Sequence, residues 1–346
     1  MNARHQWLAR IVGILAVLVI GDVTSERLRT TYWSPIDNNQ VLRVFTYLHD
    51  MPRADILFLG TSRTRAAVIP AEIEDALSPM LGRDISAYCL AQNGSTAYTN
   101  WLVLDDAVRV HGPPEVIVLE LSPASLNSNH KNVARDFSCY SSLAEIVRAV
   151  RWIDTSDRLS AAASGCFRGV SSVALYGSRW LYADSIYDNL ARYRSLKGAQ
   201  YSKDLKHKYQ RPPDPKPVRR LAKLDTAIRI TRNDYMRDYE VGGAPEAGFV
   251  AIVDFAAARG IPLVLVDPPL NQDYREAIST SEEYAEYRSA VDQALQDPRS
   301  TMVEADLNGL EMSKDEFEDL THLNPLGASR FSRILAQSVL LPLMAE

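Results

Sequence analysis

The sequence lacks several features that would assign it quickly. It holds only three cysteines (Cys89, Cys139 and Cys166), too few and too scattered for a disulfide scaffold and without the paired short spacings of a zinc site. It has no basic excess. Its 38 Lys and Arg stand against 43 Asp and Glu, a net charge of −5, which argues against nucleic acid as a partner. No Gly-x-Gly-x-x-Gly follows the first strand-like segment, which removes a dinucleotide-binding Rossmann domain. A mean hydropathy of −0.17 excludes a polytopic membrane protein. No residue pattern asks for a metal or another cofactor. What is there, 46% apolar and 23% charged residues over 346 positions, is ordinary for a globular chain. The length suits two domains of ~150 residues, or one large domain with an insertion.

One long apolar run is present, at the start. Ile11 to Gly21, within the segment Trp7–Val23, is shorter than the ~20 residues of a full bilayer span. Trp7, Leu8 and Val23 extend it, and Arg4 and Arg10 supply the positive flank of an export signal. Gly21-Asp22-Val23 is a poor cleavage site, which favours an uncleaved anchor over residues 1–25 to a cleaved signal. Arg27 and Arg29 dilute the positive-inside bias. A short basic segment ahead of a large C-terminal domain still places that domain outside the cytoplasm, held at the inner (cytoplasmic) membrane by a single N-terminal helix. In that compartment Cys139 and Cys166 could pair, although three cysteines leave one over.

Beyond the anchor, short apolar runs alternate with helical spacing. Asp55–Leu59, Ile85–Ala91 and Val116–Leu121 read as buried strands, separated by helices over Ile69–Leu81 and Ser95–Val110. The alternation stops at Pro123 and resumes at Pro245, with a helix over Gly248–Arg259, a strand over Ile261–Val266, a helix over Ser281–Leu295, a strand over Thr301–Leu307, and a last helix over Asn324–Leu341 stopped by Pro342. These spacings predict an α/β fold: a mostly parallel five-stranded sheet between two helical layers, in which residues 26–122 and 243–346 form the core. Residues 123–242 form a mainly helical insertion. Its Lys197–Lys223 stretch, with the run QRPPDPKPVRR, reads as a solvated loop or as a contact for anionic headgroups or polymer.

Open parallel sheets carry their sites at the carboxyl ends of the strands. The loops there hold Gly60-Thr61-Ser62-Arg63, Gln92-Asn93-Gly94-Ser95, Ser122-Pro123, Asp267-Pro268, and Asp319 to Asn324. Of the six histidines, His5, His49, His111 and His207 fall away from that edge; His130 competes, and His322 is best placed. Asp319, three residues earlier, can fold back onto its ring and fix the tautomer. Ser62 needs such a base, since a free hydroxyl is a weak nucleophile at neutral pH. The backbone N–H groups of Ser62 and Gly94, and the Asn93 amide, are candidate oxyanion donors. Arg63 and Arg65 are candidate contacts for an anionic substrate. Each element has a bland alternative: serines at strand–helix junctions usually cap helices, Asp-x-x-His can do the same, and Asn-Gly is a common turn pair.

The segments ILFLGTSRTR (56–65) and DLTHLNPLGASRF (319–331) resemble the first and last blocks of the SGNH (GDSL-like) hydrolases, especially their membrane-anchored bacterial branch. That branch includes proteins that help esterify cell-wall polymers with D-alanine. The resemblance spans Asp55–Leu121 and Pro245 onward, and leaves the insertion uncovered. It implies Ser62 as nucleophile, His322 as base, Asp319 as its orienting acid and Gly94 as an oxyanion donor. Where the family has Gly-x-Asn-Asp, this chain has Leu119-Glu120-Leu121-Ser122-Pro123 and no asparagine before Asn127, so that either Ser122 or Asn93 substitutes or the oxyanion site is weaker than in typical hydrolases. The implied activity is an acyl hydrolase or acyltransferase on O-acyl groups, such as acetyl, of cell-envelope polysaccharide, working beside a multi-span membrane O-acyltransferase. The rival is a non-catalytic scaffold of the same fold that assembles such a system.

Overall fold

The computed structural model describes residues 53–130, 133, 224–296, 302–304 and 310–345. All of these fall within one compact unit made of Asp50–Val133 and Ala199–Glu346. The N-terminal apolar run, Cys139, Cys166 and the basic stretch lie outside the described residues, and so does most of the expected insertion. Among the described residues no helix is long and apolar enough to cross a membrane, and Cys89 is buried and forms no disulfide.

The fold is mixed α/β around a parallel sheet. Its strands are β1 (Ile56–Leu59), β2 (Ala87–Cys89), β3 (Val116–Glu120) and β4 (Leu263–Val266), in the order β2-β1-β3-β4. A three-residue segment, β5 (Met302–Glu304), runs parallel beside β4, with Leu263 opposite Met302. Every residue of β1 to β4 is buried, as expected of parallel strands covered on both faces. Side chains alternate between the faces. Ile56, Phe58, Val116, Val118, Val264 and Val266 join one core with Ile73, Leu77, Phe331 and Leu335, and Leu57, Leu59, Ile117, Leu119, Leu263 and Leu265 are buried on the other side.

The helices follow from local chemistry. A short helix, α1 (Ser62–Ala67), leaves β1, and α2 (Pro70–Leu81) follows with Pro70 at its first position and Gly82 in the left-handed conformation at its end. Next comes α3 (Ala97–His111), capped by the Thr96 side chain. A single turn, α4 (Pro123–Leu126), follows β3. After the undescribed stretch come α5 (Leu224–Met236) and α6 (Gly243–Ala257). Gly248 lets α6 settle on α3: a Cβ there would lie 2.3 Å from the Tyr98 Cα, deep inside repulsive contact.

Two expectations need correction. The stretch between β4 and Ser281 holds a further helix, α7 (Gln272–Ser279), ahead of α8 (Glu282–Leu295). Tyr274 and Ile278, four residues apart on one face, bury themselves with Met236 and Leu320. The two prolines of Asp267-Pro268-Pro269 hide this pattern, because they end the apolar run only a few residues before it. The last helix, α9 (Pro325–Leu335), is not stopped by Pro342. It passes through one π turn, Ala336–Leu340, and resumes as α10 (Leu341–Ala345). The wide turn is closed by the Leu341 N–H donating to the Ala336 carbonyl, and Pro342 falls at the second position of α10, where the start of a helix tolerates a proline.

Candidate active site

The sheet order reverses between β1 and β3, which both lie at its centre, so the loops leaving their carboxyl ends diverge and open a crevice. Ser62 leaves β1 at that point. It is not the helix cap. Thr61 takes that role: its backbone is extended and its Oγ1 accepts the Arg63 N–H at 3.1 Å. Ser62 is therefore the first residue of α1, with its hydroxyl free for other work. The Ser62 Oγ lies 2.8 Å from the His322 Nε2.

His322 belongs to a tight turn closed by a bridge between Phe317 and Leu323, with the Glu318 N–H donating to the His322 carbonyl at 2.8 Å. Asp319 organises the turn from within. Its Oδ1 accepts the N–H groups of Thr321 (2.8 Å) and His322 (2.9 Å), and its Oδ2 lies 2.8 Å from the His322 Nδ1. The Asp-x-x-His spacing does not cap the following helix either. Asn324 does, accepting from the amides of Leu326 and Gly327. Burial acts to raise the Asp319 carboxyl, but the His322 hydrogen bond and charge, with the two turn amides, outweigh it and hold it down to about 2. Hydroxyl, imidazole and carboxylate thus stand in hydrogen-bonded series, drawn from opposite ends of the sequence.

Beside Ser62 is a narrow cavity of about 40 Å³. Gly94 lines it in the left-handed conformation (φ 66°). The β2 loop carrying Gly94 is tied to the Ser62 loop: the Gly60 carbonyl accepts from the Gln92 N–H at 2.9 Å and from the Ser95 hydroxyl at 2.5 Å. Ser122 lines the cavity too, at 3% exposure and with no hydrogen-bond partner for its Oγ among the described residues. His130 shares the cavity, while the imidazole on Ser62 is that of His322. An open polar groove of about 1110 Å³ shares Asp267, Leu270 and Tyr284 with it as a common wall.

Two expected site residues are engaged with other partners, although Arg63 also lines the cavity. Asn93 is exposed and does not line the cavity; its Oδ1 accepts from Arg65 at 3.4 Å, because the left-handed turn at Gly94 leaves the preceding side chain outside. Arg63 does not offer its charge to an anion. It is 5% exposed, pairs with Asp267 at 2.8 Å and donates to the Pro268 carbonyl. Burial alone would lower its pKa, but the charges of Asp267 and Glu120 outweigh that and raise it. The pair ties α1 to the loop after β4. Arg63→Ala is therefore expected to cost roughly 2 kcal/mol of stability in thermal unfolding, since it removes a buried guanidinium and leaves the half-buried Asp267 carboxylate without its partner. A normal melting temperature would contradict that account.

Three residues that matter here were not singled out from sequence. Glu120, at 0% exposure, receives the amides and hydroxyls of Thr61 and Thr64. Its signal is a lone charge in the otherwise apolar strand VIVLEL. Gly60 makes room for it: a Cβ on Gly60 would lie 2.6 Å from the Glu120 Cβ. Tyr235, at the end of α5, lines the cavity and hydrogen-bonds Thr321, and burial pushes its phenol up. No strand-helix pattern points to it, because it comes from the end of the stretch where the alternation is broken. Among the described residues no group of three or more His, Cys, Asp or Glu is arranged to hold a metal ion.

Residues 39–337 match the family described as a protein of unknown function (DUF1574), and the chain belongs to that family. No curated protein matches it.

Proposed function

We propose that this family member is a serine acyl hydrolase or acyltransferase of the SGNH type, acting outside the cytoplasm on O-acyl groups, such as acetyl, of cell-envelope polysaccharide. The observation that carries the reading is the series Ser62–His322–Asp319, with contacts of 2.8 Å on either side of the imidazole. The sheet order and the position of the series at its switch point support the SGNH-like fold, a three-layer sandwich of flavodoxin-like order.

In this reading the Ser62 Oγ attacks the acyl carbonyl carbon while the His322 Nε2 takes its proton. The oxyanion of the tetrahedral intermediate is met by the backbone N–H groups of Ser62 and Gly94, with the Ser122 hydroxyl standing in for the missing asparagine. The intermediate collapses to an ester on Ser62 as His322 returns the proton to the departing oxygen. An acceptor hydroxyl, or water, then gives its proton to His322 and attacks the ester carbon, and collapse expels the Ser62 Oγ, which takes that proton back from His322. Asp319 holds the Nδ1–H throughout, so that Nε2 faces the nucleophile unprotonated. A cavity of about 40 Å³ has room for about three or four water-sized bodies, at roughly 10–15 Å³ each, which suits an acetyl-sized group. The polar groove beside it suits the polymer. The N-terminal run would hold the domain at the membrane, next to an integral O-acyltransferase that delivers acyl groups.

The rival scaffold reading draws on the altered third block: Asn127 is buried and spends its amide on the carbonyls of Tyr235 and Arg237. It gives no reason for an assembled Ser62–His322–Asp319 series. The deciding comparison is the O-acyl content of envelope polysaccharide in cells carrying wild type or Ser62→Ala at equal protein level. Loss of O-acyl groups supports transfer and accumulation supports hydrolysis; an unchanged content contradicts both.

A further inference from the structure

We propose that Glu120 is the positioning residue of the nucleophile turn: its carboxylate engages the turn's other donors, so that the Ser62 N–H is the one amide of residues 61–64 left free for the oxyanion. The proposal rests on the catalytic reading of Ser62.

A carboxylate at 0% exposure is costly to bury unless its oxygens are fully met. Here they are met by one short segment. The Glu120 Oε2 accepts the Thr61 N–H at 2.8 Å, the Thr64 N–H at 3.0 Å and the Thr64 hydroxyl at 2.7 Å, and its Oε1 accepts the Thr61 hydroxyl at 2.8 Å. The Thr61 Oγ1 in turn accepts the Arg63 N–H at 3.1 Å. The amides of residues 61, 63 and 64 are therefore all committed, two of them directly and one through the Thr61 hydroxyl. Among the described residues only the Ser62 N–H of this turn has no acceptor, and Ser62 lines the cavity.

This division of donors needs an acceptor with several lone pairs and full negative charge, because charge-assisted hydrogen bonds are about twice as strong as neutral ones. It also needs β1 and β3 to approach closely, which Gly60 permits. Fixing the turn in this way holds the oxyanion donor and the nucleophile, which belong to the same residue, in one geometry before substrate arrives. No reorganisation is then required at the moment of reaction.

The test uses the full chain and a fluorophosphonate probe, with adduct formation followed over a range of probe concentrations to separate KI from kinact. Glu120→Gln keeps the size and one acceptor but removes the charge and points a donor at the Thr61 hydroxyl or the turn amides. Its kinact is expected to fall at least about tenfold with KI within about twofold of wild type, against the roughly 10²–10³ lost with a whole oxyanion donor. A carboxylate that served only to hold the sheet together would lower the melting temperature and leave kinact unchanged; that result overturns the proposal. Residue-resolved amide exchange on the wild-type chain keeps the question decidable should the variant not fold. The amides of Thr61, Arg63 and Thr64 are expected to be protected and that of Ser62 to exchange at least about tenfold faster; uniform rates across the four overturn it. A wild-type chain that takes no probe refutes the catalytic reading, and the exchange pattern still decides on the division of donors.

Discussion

Replacing Ser62 by alanine is expected to reduce turnover of a small activated ester such as p-nitrophenyl acetate by up to about 10⁶-fold, to the level of the remaining binding surface. The melting temperature should stay within a few degrees of wild type, because Ser62 is neither cap nor core. Thr61 caps α1, and among the described residues the only hydrogen-bond partner of the Ser62 side chain is His322. Loss of activity without loss of fold separates a nucleophile from a structural serine. Turnover that survives in a well-folded Ser62→Ala protein would mean that another group, such as His130 in the same cavity, does the chemistry.

Asp319→Asn should cost about 10⁴ in turnover while leaving the turn intact. The asparagine carbonyl can still accept the amides of Thr321 and His322, but its NH₂ now faces Nδ1 and imposes the tautomer with the proton on Nε2. The imidazole then points an N–H at Ser62 and cannot take its proton. Stability offers a second readout with a definite sign. The native Asp319 carboxyl is held down to about 2, below its ordinary 3.8. Its contribution is therefore fully present above the ordinary value and lost as pH falls through about 2. The wild type should lose melting temperature more steeply than Asp319→Asn between about pH 4 and pH 2. Parallel curves would indicate that the ion pair with His322 is too solvent-exposed to matter, as its 47% exposed carboxylate would permit.

Much of this site was legible in the sequence because catalytic groups of a parallel sheet have few places to stand. Ser62 follows an apolar run ended by a glycine, and His322 follows Asp319 at a spacing that a single turn can close. The bland readings failed for a specific reason in both places: a neighbouring residue, Thr61 or Asn324, does the capping. The partners of Arg63 and Asn93 were not legible, because sequence position puts a residue on a loop without saying which way its side chain turns. Arg63 turns inward to Asp267, and Asn93 is left outside by the left-handed turn at Gly94. Glu120 and Tyr235 went unseen for different reasons. Glu120 makes sense only once β1 and β3 are paired, which brings Thr61 and Thr64 onto its carboxylate. Tyr235 arrives from α5, which no strand-helix alternation could place. The helix α7 and the continuation past Pro342 show the same limit in the fold, since prolines mark turns only where their missing N–H is needed.

The most direct measurement is to treat the purified chain with a fluorophosphonate and map the adduct by peptide mass spectrometry. A single modification on the Ser62 Oγ, absent after prior replacement of His322 by glutamine, is the predicted result. An unmodified Ser62 in folded protein, or an adduct equally abundant on other serines and independent of His322, would contradict an activated nucleophile at this site.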